Sequence, residues 1–229
     1  MEKIRNRIIA ISGDPASGKG TVTNKLKEEY EKKGYKVEIF SIGSEFRKLA
    51  QEKGLSIEQF NEYISKRKGI DEFIDSRVAK KGKEINKEAR PGEIFIFDSR
   101  LAFHNIPEAF SIRLTVNDDV AGQRVFGDKK RGEEDNYASV EEATIATRNR
   151  KNTELARYKK RYGINLHDPK NYDLVVDTSY ADIHDIAEII EQSLECDLKG
   201  EPYRKMRIGS KKLVSAKTGK RPGQDDEER

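Results

Sequence analysis

Residues 8–21 of the chain read IIAISGDPASGKGT, a short β-branched apolar run followed by a glycine-rich loop. The apolar run predicts a buried strand, and Val22, Leu26 and Tyr30, spaced by four, predict a helix after the loop. Residues 13–21 match the pattern G-x-x-x-x-G-K, with one extra glycine before the hydroxyl residue. A strand, such a loop and a helix in this order predict a P-loop, in which backbone N–H groups surround phosphate oxygens.

The loop predicts a site for a nucleoside triphosphate, ATP in the simplest case, together with Mg²⁺. We expect Lys19 to bridge the β- and γ-phosphates and the Thr21 hydroxyl to hold Mg²⁺. The predicted binding residues are Gly13, Asp14, Pro15, Ala16, Ser17, Gly18, Lys19, Gly20 and Thr21. The alternative, a glycine-rich turn that binds nothing, leaves the joint occurrence of strand, lysine and helix unexplained.

Four further apolar runs alternate with helical patterns along the chain. They lie at residues 37–40, 94–97, 110–116 and 174–176. Strands that alternate with helices indicate βαβ units and a parallel sheet. We therefore predict an α/β, three-layer P-loop kinase fold with a five-stranded parallel sheet, helices on both faces and a mobile helical lid.

The same patterns predict how the chain is divided. Residues 1–199 form one kinase domain, with acceptor-binding helices at about 44–86 and a lid at about 126–160. After residue 199 the apolar periodicity fails, and residues 200–229 are rich in Lys, Arg, Gly and acidic residues. We expect this segment to be a polar, disordered or loosely docked tail.

The composition narrows the class of protein. Cys196 is the single cysteine, so no disulfide can form within the chain. No apolar run approaches the length of a membrane span, and the N-terminus lacks the apolar stretch of a signal peptide, so we expect a cytoplasmic protein. We separately expect a monomer. The net charge of +4 suits a phosphate-bearing ligand but is weak evidence for nucleic-acid binding.

A kinase for phosphorylated acceptors must neutralise two phosphate groups and exclude water, so arginines are expected from separate segments. Arg47 follows the second strand and Arg100 follows the third, at the sheet edge where open α/β folds bind ligands. Asp98, directly after the third strand, is placed to hold Mg²⁺, often through water. The plainer interpretations are a solvated helix arginine for Arg47 and a turn cap for Asp98.

A third set of charges lies on the predicted lid helix. Arg150, Glu154 and Arg157 are spaced i, i+4 and i+7, so one helical face presents all three. A solvent-facing ladder of ion pairs has the same spacing. Since a basic, glycine-containing loop precedes them, we favour a lid that brings these arginines onto the transferred phosphoryl group.

Taken together, these motifs resemble the cytidylate kinase family in its shorter form, which lacks a large inserted acceptor domain. The matching segments are Ser41-x-Gly43-x-x-Phe46-Arg47, Asp98-x-Arg100, Arg150-x-x-x-Glu154-x-x-Arg157-Tyr158 and residues 172–179. The resemblance covers about residues 6–195 and implies reversible transfer of the ATP γ-phosphoryl group to CMP or dCMP. The Gly-Lys-Gly-Thr form of the loop also resembles nucleoside monophosphate kinases in general, in which the position of Ala16 is often glycine.

The resemblance also implies roles for individual residues. Ser41 would contact the acceptor sugar or phosphate, Arg47 and Arg100 its phosphate, and Glu154 its sugar, while Arg150 and Arg157 come from the lid. Asp71, Asp75 and Arg77 resemble acceptor-site positions of the short form, with ordinary surface charge as the alternative. Leu101 stands where the long form has a base-contacting Asp, so the cytosine amino group needs another polar partner.

Two other functions fit parts of the pattern. The first is another P-loop small-molecule kinase, acting on AMP, UMP or a non-nucleotide acceptor. The second is a nucleotide-dependent protein that binds RNA through the lysines of its tail, although the acidic end of the tail opposes this. We expect no obligatory general base, because positioning and charge neutralisation supply most of the acceleration in phosphoryl transfer.

Overall fold

The computed structural model defines the arrangement of most of the chain. The residues that it describes are 8–55, 59–60, 63, 70–88, 90–128, 137–199, 207–208, 211–212 and 214–216. For residues 45–48, 70–74, 198–199 and those beyond 199, this description covers the backbone alone. The side chains of Arg47 and Asp71, and parts of the predicted acceptor-side segment and lid, therefore lie outside the described residues.

Five parallel strands form the centre of the molecule. They are β1 (Ile8–Gly13), β2 (Lys36–Ser41), β3 (Glu93–Asp98), β4 (Phe110–Thr115) and β5 (Leu174–Asp177). Their order in the sheet is β2-β3-β1-β4-β5, and every neighbouring pair is parallel. The predicted α/β fold with a five-stranded parallel sheet is confirmed. Because β1 lies between β3 and β4, the loop that follows β1 has the ends of both strands beside it.

A sixth strand comes from the segment that the sequence predicts to be a tail. β8 (Val214–Ala216) pairs antiparallel with β5, with Val175 opposite Ser215. Two shorter strands, β6 (Arg207–Ile208) and β7 (Lys211–Lys212), pair with each other. The sequence patterns do not predict these short strands, because a three-residue edge strand needs only backbone hydrogen bonds, which leave no hydrophobic periodicity in the sequence.

Seven α-helices connect or follow the strands in the described residues. They are α1 (Lys19–Lys32), α2 (Ile42–Glu52), α3 (Ile70–Glu88), α4 (Ala102–Asn105), α5 (Asp118–Gly127), α6 (Val140–Tyr162) and α7 (Ile183–Lys199), with a 3₁₀ turn at Pro169–Asn171. None of the helices in the described part of the chain combines the length and apolar character needed to cross a lipid bilayer.

The two faces of the sheet are covered by different helices. On one face, α1 and α7 contribute Leu26 and Ile190 to a buried cluster that includes Ile11 and Leu114 of the strands. On the other face, α3 and α4 pack Val78, Ala102 and nearby apolar residues against β1 and β3. Alternate strand residues therefore face opposite layers, which is the pattern of a parallel sheet buried on both sides.

Helices α5 and α6 pack closely against each other on the side of β4. A Cβ at Gly122 of α5 would lie 1.9 Å from the Thr144 hydroxyl of α6, so glycine permits this close approach. Ser139 caps α6 by accepting a hydrogen bond from the Glu142 N–H at 3.1 Å. Gly163, with φ +69°, ends the helix in the left-handed conformation. These limits fix the length of the helix that carries the predicted lid arginines.

Candidate active site

The loop after β1 owes its shape to two glycines and its own hydrogen bonds. A Cβ at Gly13 would lie 2.7 Å from the Leu114 carbonyl oxygen, too close for any residue but glycine. Gly18 has φ +80°, a conformation in which other residues are strained. The Asp14 N–H donates to the Leu114 carbonyl at 2.9 Å and the Ser17 N–H to the Asp14 carbonyl at 3.2 Å. The loop is therefore held in shape by hydrogen bonds from its own backbone.

The first turn of α1 presents unpaired backbone donors at this loop. Gly18 is the N-cap residue and supplies no side-chain cap, and the helix begins at Lys19. The N–H groups of Lys19, Gly20 and Thr21 thus have no intrahelical acceptor. Together with the helix dipole, they form the anion-binding end that the P-loop interpretation requires.

Ala16 adopts φ +60°, the one non-glycine residue with positive φ in the described residues. The left-handed conformation costs an alanine about 1 kcal/mol relative to glycine. A glycine at this position would adopt the same conformation without that cost. The carbonyl of Ala16 accepts a hydrogen bond from Arg124 Nη1 at 3.1 Å, which helps to hold the strained residue in place.

Arg124 and Thr178 brace the loop from outside, and sequence reasoning missed both roles. Arg124 of α5 also donates from Nη1 to the Thr178 hydroxyl at 3.1 Å, and from Nη2 to the Thr178 carbonyl. The Thr178 hydroxyl lies 3.0 Å from the Ser17 carbonyl and 3.1 Å from the Thr115 carbonyl. Most of these acceptors are backbone carbonyls, which every residue has. No sequence motif therefore predicts these hydrogen bonds.

Lys19 lies beside the carboxyl end of β3. Its Nζ is 3.8 Å from Asp98 Oδ1, and both side chains are less than a fifth exposed. Burial, followed by the nearby positive charge of Arg100, lowers the pKa of Lys19 to about 8, although Asp98 and Glu154 oppose this. An ammonium that is poorly solvated and close to other cations gains strongly from an incoming polyphosphate.

Glu154 joins two of the predicted arginines. Its Oε2 accepts a hydrogen bond from Arg100 Nε at 2.8 Å, and its Oε1 one from Arg150 Nε at 3.3 Å. Burial alone would raise the pKa of Glu154, but Arg100 and Arg150 outweigh it and hold the pKa below its ordinary value. The structure thus brings α6 and the segment after β3 together through a carboxylate that lies between guanidinium groups.

The segment that carries Asp98 and Arg100 is held by β1. The Ser99 N–H donates to the Ile11 carbonyl at 3.2 Å, and the Ser12 hydroxyl donates to the Arg100 carbonyl at 3.1 Å. On the other side, Ser41 ends β2 directly opposite Asp98 in the sheet register. The Ser41 hydroxyl accepts from the Ser44 N–H at 3.4 Å, so it caps α2 at the same edge of the sheet.

Other predicted residues occupy different surroundings. Asp75 accepts hydrogen bonds from Asn105 at 3.1 Å and from the Tyr162 hydroxyl at 2.5 Å, which joins α3 to α4 and to the last turn of α6. Arg77 is exposed on α3. Arg157 is exposed, with its guanidinium 5.0 Å from the centre of the Tyr158 ring, so the structure does not bring it to Glu154.

A second charged cluster lies next to the loop. Asp14 forms a buried ion pair with Arg113 of β4, the two side chains being 6% and 3% exposed. Lys151 of α6 and His167 approach the same carboxylate, at 3.4 Å and 3.7 Å. Burial and the charge of Arg113 lower the pKa of His167, so it is largely neutral at pH 7. All four line a polar cavity of ≈ 420 Å³.

The sequence did contain a signal for this cluster. Arg113 is a charged residue within the buried apolar strand β4, and such residues are almost never fully buried unless they are paired. Its partner, 99 positions away in the chain, is Asp14. Asp14 lies in the loop, and its carboxylate is engaged by this cluster.

A metal ion fits this site only with help from a ligand. The described residues contain no group of three or more His, Cys, Asp or Glu side chains that could hold a metal by themselves. Thr21, which is exposed, and Asp98 provide oxygen atoms at the mouth of the loop. Two protein oxygens completed by phosphate and water are the usual set for Mg²⁺ in phosphotransferases. The residues present therefore fit Mg²⁺ bound together with a triphosphate.

Comparison with known proteins agrees with this geometry. A cytidylate kinase of Methanocella arvoryzae is 35% identical over 188 residues, covering 82% of this chain and 97% of the relative. A cytidylate kinase of Pyrobaculum neutrophilum is 33% identical over 184 residues, covering 80% and 89%. The solved shikimate kinase of Bacteroides thetaiotaomicron shares the fold, with a TM-score of 0.52 at 13% identity over 82% of this chain and 98% of that one. The sequence model that describes the cytidylate kinase-like family matches residues 8–180, and the chain belongs to that family.

Proposed function

We propose that the chain transfers the γ-phosphoryl group of ATP, with Mg²⁺, to CMP or dCMP, giving CDP or dCDP. The observation that carries this proposal is the convergence of Lys19, Arg100 and Arg150 around Glu154 at the carboxyl edge of the sheet. Cations from three separate segments meet there beside an anion-binding helix end. Two phosphate groups that approach each other need such an arrangement.

The donor would bind along the loop and the start of α1. Backbone N–H groups of residues 19–21 would donate hydrogen bonds to phosphate oxygens, and Lys19 would contact the β- and γ-phosphates. Thr21 and Asp98 are the residues that would hold Mg²⁺, which when bound neutralises charge on the phosphate oxygens. Because the loop is already braced by Arg124 and Thr178, little reorganisation is needed on binding.

The acceptor would bind on the β2 and β3 side of the loop. Arg100 would donate hydrogen bonds to the acceptor phosphate. Glu154 would then lose its pairing with Arg100 and be free to contact the acceptor sugar. Ser41 and, from the resemblance, Arg47 would complete the phosphate contacts. An acceptor phosphate oxygen attacks the γ-phosphorus as the bond to the ADP oxygen breaks, and Arg150 and Arg157 would stabilise the charge at that stage.

The choice of cytosine rests on the relatives and on the polar residues of the acceptor side. Both curated relatives named above are cytidylate kinases. Asp75 and Arg77 are the predicted acceptor-side polar residues among the described side chains, and Asp75 already accepts hydrogen bonds from Asn105 and Tyr162. Tyr162 and Asn105 are thus candidates to position Asp75 for the base, since a buried amino group must be paired.

Three further proposals concern the protein as a whole. The side chains of the site all lie before residue 199, so we place the kinase domain at residues 1–199, with Val214–Ala216 added at the edge of its sheet, and give residues 200–229 no catalytic role. We also propose that the protein is a monomer. We also propose a cytoplasmic location, where nucleoside monophosphates and ATP are available. Light scattering and a truncation after residue 199 test the first two of these.

The substrate proposal is tested by ADP release from ATP and Mg²⁺ with CMP, dCMP, UMP, AMP and GMP as acceptors. We expect strong turnover with CMP or dCMP and weak turnover with the others. Shikimate and other non-nucleotide acceptors serve as a negative set. Strong activity with another acceptor would retain the mechanism and refute the substrate. Absence of turnover with every acceptor would refute the proposed reaction.

A further inference from the structure

We propose that Lys151 is a positioning residue, which sets the angle of α6 against the phosphate loop and so aims Arg150 and Glu154 at the reacting groups. This inference rests on the proposed phosphoryl transfer. It concerns a lysine that makes no expected contact with either substrate. Its basis is that the ammonium group of this α6 lysine contacts two other parts of the molecule, the phosphate loop and the start of α5.

The first contact is with the phosphate loop itself. Lys151 Nζ lies 3.4 Å from Asp14 Oδ2, and the Asp14 side chain is 6% exposed. Asp14 cannot move independently, because its other oxygen pairs with Arg113 and its N–H is bonded to β4. The carboxylate that receives Lys151 is therefore a fixed point at the base of the loop.

The second contact is with the start of α5. Lys151 Nζ lies 3.1 Å from Asp118 Oδ1, in the first turn of that helix. Burial alone would lower the pKa of Lys151, but Asp14 and Asp118 outweigh it and raise the pKa, so the ammonium stays charged. With its side chain only 19% exposed, Lys151 is less screened by water than an ordinary surface ion pair.

The position of Lys151 along α6 gives these contacts a consequence for the active site. In an α-helix, successive residues are rotated by about 100°, so Arg150 and Glu154 share a face and Lys151 projects to its side. Rotation of α6 about its axis would move Arg150 and Glu154 together. Pairing of Lys151 with Asp14 and Asp118 opposes that rotation, since both carboxylates belong to other elements. The lysine thereby fixes the direction in which the lid residues face.

The test compares Lys151→Met with Lys151→Arg and with the matched control Lys160→Met, an exposed lysine on the same helix. For Lys151→Met we expect kcat to fall about tenfold while the KM for ATP changes less than about twofold, because orientation and not donor binding is lost. Lys151→Arg should recover most of kcat. Lys160→Met should match the unmodified protein.

A second readout does not depend on activity. Hydrogen exchange of the amides around residues 150–154 should be about tenfold faster in Lys151→Met than in Lys160→Met, with the melting temperature of both variants little changed. Unchanged exchange and unchanged kcat in Lys151→Met would overturn the inference. The inference would also be overturned if the loss of kcat in Lys151→Met accompanied a fall in melting temperature and Lys151→Arg did not recover it. An unmodified protein without turnover would refute the proposed function, whereas the exchange result would still decide the role of Lys151.

Discussion

The two sides of the candidate site are built in different ways. On the donor side, the phosphate loop is held by backbone hydrogen bonds, by Arg124 and by the buried Thr178 hydroxyl. On the acceptor side, the main contacts are ion pairs among side chains that are themselves the expected ligands, above all Arg100 with Glu154. The loop on the proposed donor side is therefore held by groups outside the proposed ligands, whereas on the proposed acceptor side the ligands pair with one another and would exchange partners on binding.

This difference has an energetic meaning. A site whose shape is held by groups other than its ligand contacts loses little free energy to reorganisation. Those contacts then contribute directly to the free energy of binding. On the acceptor side, Glu154 pairs with Arg100 and Arg150 until an acceptor phosphate replaces it. Breaking these ion pairs reduces the net free energy of acceptor binding, but before binding they keep the two arginines from repelling each other. Changes on the donor side should thus affect triphosphate binding and transfer together, and changes on the acceptor side should be selective.

The largest effect is expected for Lys19→Ala. Loss of the ammonium removes charge stabilisation at the transferred group, and we expect kcat/KM to fall by about 10³-fold or more. The fold should be retained, and the melting temperature at pH 7 should be unchanged or higher, because the folded protein no longer buries a lysine whose pKa is lowered. Steady-state kinetics and thermal unfolding check both parts. Near-normal turnover would refute the P-loop assignment.

The next effect is expected for Arg100→Met. Loss of a charge-assisted contact to the acceptor phosphate should raise the KM for CMP by about 30- to 100-fold. The dissociation constant for ATP, measured by calorimetry, should change little, because the phosphate loop is held by other groups. Arg90→Met, at an exposed position before β3, is a suitable control. Equal losses for the two substrates would contradict the division between the donor and acceptor sides.

A smaller effect is expected for Arg157→Ala. In the structure this arginine is exposed and packs on Tyr158, so a contact with the phosphoryl group would require the proposed movement of the lid. We expect kcat to fall about tenfold with little change in the KM for CMP, as for a contact made mainly in the transition state. An unchanged kcat would show that Arg157 is a surface residue that takes no part in the transfer.

Gly20→Ala separates stability from binding on the donor side. A Cβ at Gly20 meets no protein atom within 4 Å, so the fold does not require glycine there. Alanine favours helix by up to about 1 kcal/mol over glycine, and the melting temperature should stay the same or rise. If phosphate occupies that space, the affinity for ATP should nevertheless fall severalfold. Unchanged ATP affinity would indicate that the phosphates lie elsewhere.

The smallest effect is a pH dependence of the donor side. The free protein has a Lys19 pKa of about 8, so the ammonium loses its proton as the pH rises through that value. We expect kcat/KM for ATP to decline above pH 8, while kcat at saturating ATP stays level because bound phosphate keeps Lys19 charged. A kcat/KM that is constant up to pH 10 would show that Lys19 titrates as an ordinary lysine.

Much of the donor side could be predicted because its determinants are contiguous. The strand, the glycines and the lysine between residues 8 and 21 specify a backbone conformation locally, and the structure has the predicted strand, loop and helix. The five strands were equally visible, since buried parallel strands consist of short apolar runs. Spacing along α6 also identified Arg150 and Glu154 as neighbours, which the structure confirms.

The contacts that support the site could not be predicted in the same way. Arg124 holds the loop through residues 108 and 54 positions away, and its acceptors are mostly backbone carbonyls, which every residue has. Lys151 binds Asp14 across the fold, a pairing that no spacing in the sequence indicates. Similarly, the edge strand Val214–Ala216 has no hydrophobic pattern of its own. Such long-range contacts depend on the packing of elements, which local sequence does not specify.

The most direct test of the central claim follows the phosphoryl group itself. The full chain is incubated with Mg²⁺, ATP labelled at the γ-phosphate and CMP, and the products are separated. Direct transfer predicts that the label is recovered in the terminal phosphate of CDP, that it depends on CMP, and that it is lost in Lys19→Ala. Label released as inorganic phosphate, with CMP unchanged, would contradict a phosphotransferase and indicate hydrolysis instead.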